Sequence, residues 1–171
     1  MNTQQLLLEL TLIGSMMIIT GFFLYRRYDA RDSVLLKSQK ILTGLLGAFL
    51  LMAGTVKFFE PFNTMFTQQI LLSELPFPFL SRWAGQLGEM AAGALLLVIT
   101  IGGKSLERDM RTLIMYASTA LTTVIMFVAV YVHLLPNVPA EVLPFQSKPP
   151  VFTLVILSLA WLNAYLYKRG N

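Results

Sequence analysis

Five apolar runs limit what this chain can fold into. Residues 6–25, 41–59, 83–103, 112–135 and 151–167 are each about 17 to 24 residues long and nearly free of charge. A helix of ~20 apolar residues crosses the hydrocarbon core of a bilayer. It also satisfies its own backbone hydrogen bonds there. The runs therefore predict an all-α membrane protein with five transmembrane helices. Composition agrees, because only 13% of the 171 residues are charged and 56% are hydrophobic. That leaves too little polar surface to cover a chain of this size in water.

The connections between runs predict sidedness. Those after the first, third and fifth runs carry five basic residues (Arg26, Arg27, Arg31, Lys37, Lys40), three (Lys104, Arg108, Arg111) and two (Lys168, Arg169). The other side has only Arg82 and Lys148, with Lys57 inside a run. Positive residues favour the cytoplasmic side. The expectation is an inner-membrane protein with its amino terminus outside and its carboxyl terminus in the cytoplasm. No basic residue precedes the first run, as one would in a cleavable signal peptide. Two long connections then fall on the outer face. In the first, Phe66, Ile70 and Leu71 among Thr67, Gln68 and Gln69 predict a short amphipathic helix on the membrane surface. Leu75-Pro-Phe-Pro-Phe79 should stop it. The second, 136–150, has five prolines and reads as extended and stiff.

Absences narrow the chemistry. Without cysteine there is no disulfide, iron–sulfur cluster or cysteine-bound zinc. With one histidine, His133, a haem held by two histidines of one chain is excluded. No long basic run or aromatic–basic stripe suggests nucleic acid. No phosphate loop, nucleophile elbow or zinc motif is present, so no catalytic set is recognisable. Asn163, Ser158, Thr122 and Thr123 read as hydrogen-bond links between helices. Glu9, one turn into the first run, reads as reaching the interface.

Counting ~1.5 Å per residue from the span ends puts Lys57 roughly 3 Å deep and Glu89 roughly 9 Å deep. His133 joins them in the outer third of the membrane, with Glu60 and Arg82 just above. Gln86 shares a helix face with Glu89, and Gly54 with Lys57. Two rows of small residues, Ala84/Gly88/Ala92 and Gly44/Ala48, permit close helix contact. A charge in the membrane costs at least ~2.5 kcal/mol unless paired or hydrated, so these residues form a candidate site. Two readings stand. Lys57 and Glu89 form a structural ion pair, with Lys57 otherwise reaching up to the interface and His133 serving a helix end. Alternatively, Lys57, Glu89 and His133 line a pocket for a quinone or lipid, walled by Phe58, Phe59, Phe62 and Trp83. His133, Glu89 and Glu60 are possible metal ligands by type, but their spacing does not require a metal.

The pattern Gly47-x6-Gly54-Thr-Val-Lys57-Phe58 with Gly85-Gln-Leu-Gly88-Glu89-x3-Gly93-x-Leu95-Leu96 resembles the DoxX-like family of small membrane proteins. Lys57, after Ala53-Gly54, matches the lysine of the family's Ala-Gly-x-x-Lys motif. Glu89 matches the glutamate of its Gly-x-x-Glu motif, with Gln86 at the first motif position. His133-x-x-Pro136 and Pro149-Pro150 also suit the family. The resemblance covers residues 41–167. It implies a four-helix bundle (41–171) preceded by an added helix and basic loop (1–40). The family name is tied to quinone-linked sulfur oxidation, and members are often oxidoreductase-associated subunits. The leading expectation is thus a non-catalytic accessory subunit of a respiratory or redox membrane complex, with lipid and other membrane subunits as partners. The alternative is the outer-leaflet quinone- or lipid-binding protein.

Overall fold

The computed structural model describes residues 3–27 and 32–170; Arg31 of the basic loop lies outside them. Six helices follow in order: α1 (Thr3–Arg26), α2 (Val34–Val56), α3 (Phe62–Leu72), α4 (Pro78–Gly102), α5 (Arg108–Leu134) and α6 (Val151–Gly170). All but α3 are long and apolar enough to cross a membrane. The chain is an all-helical, multi-pass membrane protein.

The helices outrun the apolar runs, for local reasons. α2 starts at Val34, seven residues before the run, because Ser33 caps it by accepting from the Leu36 N–H at 3.3 Å. Lys37 and Lys40 ride on its first turns. α4 starts at Pro78, within the segment read as a helix stop. Proline suits the first helical position, where its missing N–H has no intrahelical partner to lose. α2 ends at Val56, so Lys57 is the residue that caps it and not one two residues inside the span. Pro61, which has no N–H, could not have continued the helix by bonding to the Lys57 carbonyl.

α2, α4, α5 and α6 form a closed ring in which α2 touches α4, α4 touches α5, α5 touches α6 and α6 returns to α2. α1 lies outside the ring against α2, and Glu9 is its only buried residue. This matches the predicted bundle with one added helix. The ring is filled by Leu46, Leu50, Ala92, Leu96, Met115, Ile156 and Ala160. Its tightest seam, between α2 and α4, uses Gly47, Gly54 and Gly93. The expected small-residue rows work elsewhere: Gly88 faces Ile125 and Leu121 of α5, and Gly44 faces Leu24 of α1.

Of the four residues expected to link helices, only Asn163 does so. Its Oδ1 lies 2.9 Å from Thr43 Oγ1 across the α2–α6 contact. The hydroxyls of Ser158 and Thr123 donate within their own helices, to the Leu154 and Thr119 carbonyls. That of Thr122 has no partner among the described residues. Ser118 supplies the missing link, donating to the Ala92 carbonyl of α4 at 2.8 Å.

The two long connections meet at one end of the bundle. α3 buries Phe66 and Ile70, as its pattern predicted, but Leu71 faces outward. The proline-rich connection is folded where an extended segment was expected. It forms two short 3-10 turns, Ala140–Val142 and Pro144–Gln146. Val138, Val142 and Leu143 build a second small core with Val132. Lys148 Nζ binds the Leu135 and Val138 carbonyls, and Gln69 Nε2 binds the Val142 carbonyl, which ties α3 to this connection.

Candidate functional site

Lys57 and Glu89 meet at the loop-rich end of the α2–α4 seam, with Nζ 2.6 Å from Oε2. Both side chains are largely buried, Glu89 more so than Lys57. The ammonium also sits 4.1 Å from the centre of the Phe66 ring of α3, a cation–π distance. Lys57 therefore turns inward, and the expectation that it reaches the interface alone does not hold. α3 roofs the pair and is itself anchored by Arg82. That guanidinium donates to Asn63 Oδ1 at 2.8 Å and Thr67 Oγ1 at 3.1 Å.

Beside the pair lies a cavity of about 480 Å³ with walls from all six helices and the Pro144–Gln146 turn. That volume suits a drug-sized or lipid-like molecule. Most of its wall is apolar, from Leu12, Leu50, Val56, Met65, Ile125 and Ile156 among others. Lys57, Glu89, His133 and Glu9 bring charge or a titratable ring to it, and Gln69, Ser81 and Thr153 bring neutral polarity. His133 is 4% exposed, and its Nδ1 lies 3.4 Å from the Lys148 carbonyl. It lines the cavity and ties the last turn of α5 to the proline-rich connection, and no bond to the end of its own helix is seen among the described residues.

No protein-family model, curated protein or solved structure matches the chain.

The five residues singled out by depth, with Gln86 singled out by the helix face it shares with Glu89, divide into two sets. Lys57, Glu89 and His133 share the cavity. Glu60 is exposed and accepts from the Thr64 N–H at 3.3 Å at the start of α3. Arg82 holds α3, as above. Gln86 is fully buried but is not part of the cavity wall. Among the described residues no three His, Asp or Glu side chains converge as a metal site would need. The aromatic walls also differ from expectation. Phe62 lines the cavity, but Phe58 and Phe59 are exposed, and Trp83 packs beside Phe58 and Phe79. The cavity's other rings are Phe49, Phe66, Phe145 and Phe152, joined in part by edge contacts of Phe152 with Phe49 and Phe145.

Glu9 is the residue that depth counting missed. It is 7% exposed and accepts from the Phe145 N–H at 2.7 Å and from Gln5 Nε2 at 3.0 Å. Phe145 adopts a left-handed backbone (φ 55°), which is unfavourable for a bulky residue. The Glu9 carboxylate fastens α1 to that turn. The signal was visible in the sequence as a carboxylate inside an apolar run with no cation one turn away.

Gln86 yields a prediction. Neither its Oε1 nor its Nε2 has a hydrogen-bond partner among the described residues. A buried polar atom without a partner costs about 1–3 kcal/mol. Gln86→Met, similar in shape, is expected to leave the melting temperature unchanged or raise it. A clear drop in thermal melts in mild detergent would show that the amide makes a bond that stabilises the fold.

Proposed function

We propose that this protein binds an amphiphile, of the quinone or lipid class, in the outer leaflet of the inner membrane. The observation that carries this reading is the cavity: apolar over most of its wall, with Lys57, Glu89 and His133 at one site. Such a wall suits a hydrocarbon tail, and the polar residues suit a head with carbonyl or ester oxygens. The Lys57 ammonium can donate to those oxygens; the His133 Nδ1–H is directed at the Lys148 carbonyl, which leaves the neutral ring's Nε2 as an acceptor for a hydroxyl head. Nine of the thirteen basic residues lie among the described residues in or beside the connections at the opposite end. The positive-inside rule then points the cavity outward and the carboxyl terminus to the cytoplasm.

Membership of the DoxX-like family belongs to the same proposal. It rests on the two short motifs, whose lysine and glutamate form one ion pair here. A role as accessory subunit of a redox complex comes second, since no contact among the described residues favours it as specifically as the cavity favours a ligand.

The test uses the purified full chain. Mass spectrometry of the solvent extract should find a co-purifying quinone or lipid near one per chain. Short-chain ubiquinone and a lysophospholipid should compete for that site. Ala129→Phe places a ring in the cavity and is expected to reduce retention at least tenfold while the protein stays monodisperse. If neither probe binds saturably, or Ala129→Phe retains ligand as the parent does, the proposal fails.

A further inference from the structure

The end of the bundle opposite the Lys57–Glu89 pair holds a second cavity, of about 490 Å³, that the amphiphile reading does not use. Among the described residues its wall carries Arg27, Lys37, Lys40 and Arg111 against one carboxylate, Asp32. Asp32 is already engaged in an ion pair with Lys40. Arg27 donates from one nitrogen, Nη1, to the Thr100 and Ile101 carbonyls at 3.2 and 2.8 Å, near the end of α4. A cation there also suits the negative end of the helix dipole. Arg111 is the decisive residue. Its Nε is fully buried and has no hydrogen-bond partner, and its guanidinium is in no ion pair among the described residues. A guanidinium stays charged at any physiological pH and offers a planar fork of donors. An oxygen of a bound ligand would supply the acceptor that this buried Nε lacks among the described residues.

We infer that this pocket binds a phosphate group, presented by the headgroup of an anionic phospholipid. A phosphate offers several oxygens, so it can bridge the Arg111 fork and a second cation at once. The wall also has apolar members, Leu24 and Ile99 among them, beside the cations. That mixture suits a headgroup with acyl chains better than a soluble anion. Basic pockets between transmembrane helices on the cytoplasmic side recognise anionic headgroups in this way.

The test is native mass spectrometry of the delipidated full chain with phosphatidylglycerol or phosphatidylcholine, alongside melting curves with inorganic phosphate alone. Phosphatidylglycerol is expected to be retained about tenfold better than phosphatidylcholine, from the attraction of roughly one or two cations. Arg111→Gln should remove that preference, and Lys168→Gln, exposed at the same end, should leave it intact. Stabilisation by inorganic phosphate that Arg111→Gln abolishes supports the phosphate site with a soluble source. If Arg111→Gln does not fold, Arg111→Lys and Arg27→Gln carry the test, and each should lose part of the preference. Equal retention of both lipids with no phosphate effect overturns the inference. So does an Arg111→Gln protein that binds as the parent does, or a Lys168→Gln loss as large as that of Arg111→Gln. Ala129→Phe, in the other cavity, should leave this binding unchanged, so the two proposals fail separately.

Discussion

Gly93→Ala is expected to be among the most damaging single-methyl changes in the protein. A Cβ at this position would overlap the Leu51 backbone nitrogen and lie 2.6 Å from the Gly47 carbonyl oxygen. Both neighbours are backbone atoms of α2, so no side chain can swing aside. Relief requires α2 and α4 to separate along the seam that carries Lys57 and Glu89. Overpacking of a close-packed interior costs about 1–3 kcal/mol, and more where the backbone must move. At ~3 kcal/mol, a protein of this size should lose on the order of 10 °C in melting temperature. The other glycines set a ranking. Gly54→Ala should also be severe, because the Gln86 carbonyl oxygen would lie at 2.8 Å. Gly88→Ala should be mild, since its nearest neighbour is the mobile Cδ1 tip of Ile125. Gly14→Ala on α1 should be neutral or slightly stabilising, because nothing lies within 4 Å and alanine favours helix. Thermal melts of the four variants in one detergent test the order. A Gly93→Ala protein as stable as Gly14→Ala would mean that the seam is not closely packed.

The bundle was legible because lipid imposes it: length and hydropathy are enough to name five spans. Which glycine faced which helix was not legible. Small residues recur on several faces of α2 and α4, and spacing alone cannot assign a face to a partner. Gly88 and Gly44 are close-contact residues, but toward α5 and α1. Helix starts differ from the apolar runs where the Ser33 cap and the proline at the first position of α4 override hydropathy. The proline-rich connection was misread because prolines argue only for local stiffness. Its compact shape comes from distant partners, the burial of Val138, Val142 and Leu143 and the Lys148 contacts with two carbonyls.

Depth counting did bring Lys57, Glu89 and His133 to one cavity. It failed for Gln86 because two residues on one helix face need not meet the same space. It passed over Glu9 because α1 lies outside the bundle, and only the fold brings the Phe145 turn to it. Arg111 was counted only as a sidedness signal. The burial of its Nε arises from packing between helices, which charge counting does not see.

The Lys57–Glu89 pair allows the sharpest separation of structure from function. Removing one partner of a buried pair leaves an uncompensated charge and typically costs about 3–5 kcal/mol, whereas removing both costs far less. The two single variants should differ here. Lys57→Met leaves the Glu89 carboxylate, 8% exposed in the parent and on a short stem midway along α4, without its cation. Glu89→Gln leaves Lys57 at the end of α2, still over the Phe66 ring and with a stem long enough to turn toward the interface. Lys57→Met is therefore expected to lose most stability, Glu89→Gln less, and the double variant less than the sum of the two. Simple additivity across this cycle would show that the 2.6 Å contact contributes no coupling. Ligand retention by the same proteins answers the functional question. If the pair only locks α2 to α4, the refolded double variant should retain an amphiphile as the parent does. If Lys57 and Glu89 contact its head, the double variant should be stable but bind at least tenfold more weakly. The proposed function predicts the second result, because the cavity wall includes both charged groups and removal of the pair leaves the apolar part of the wall in place.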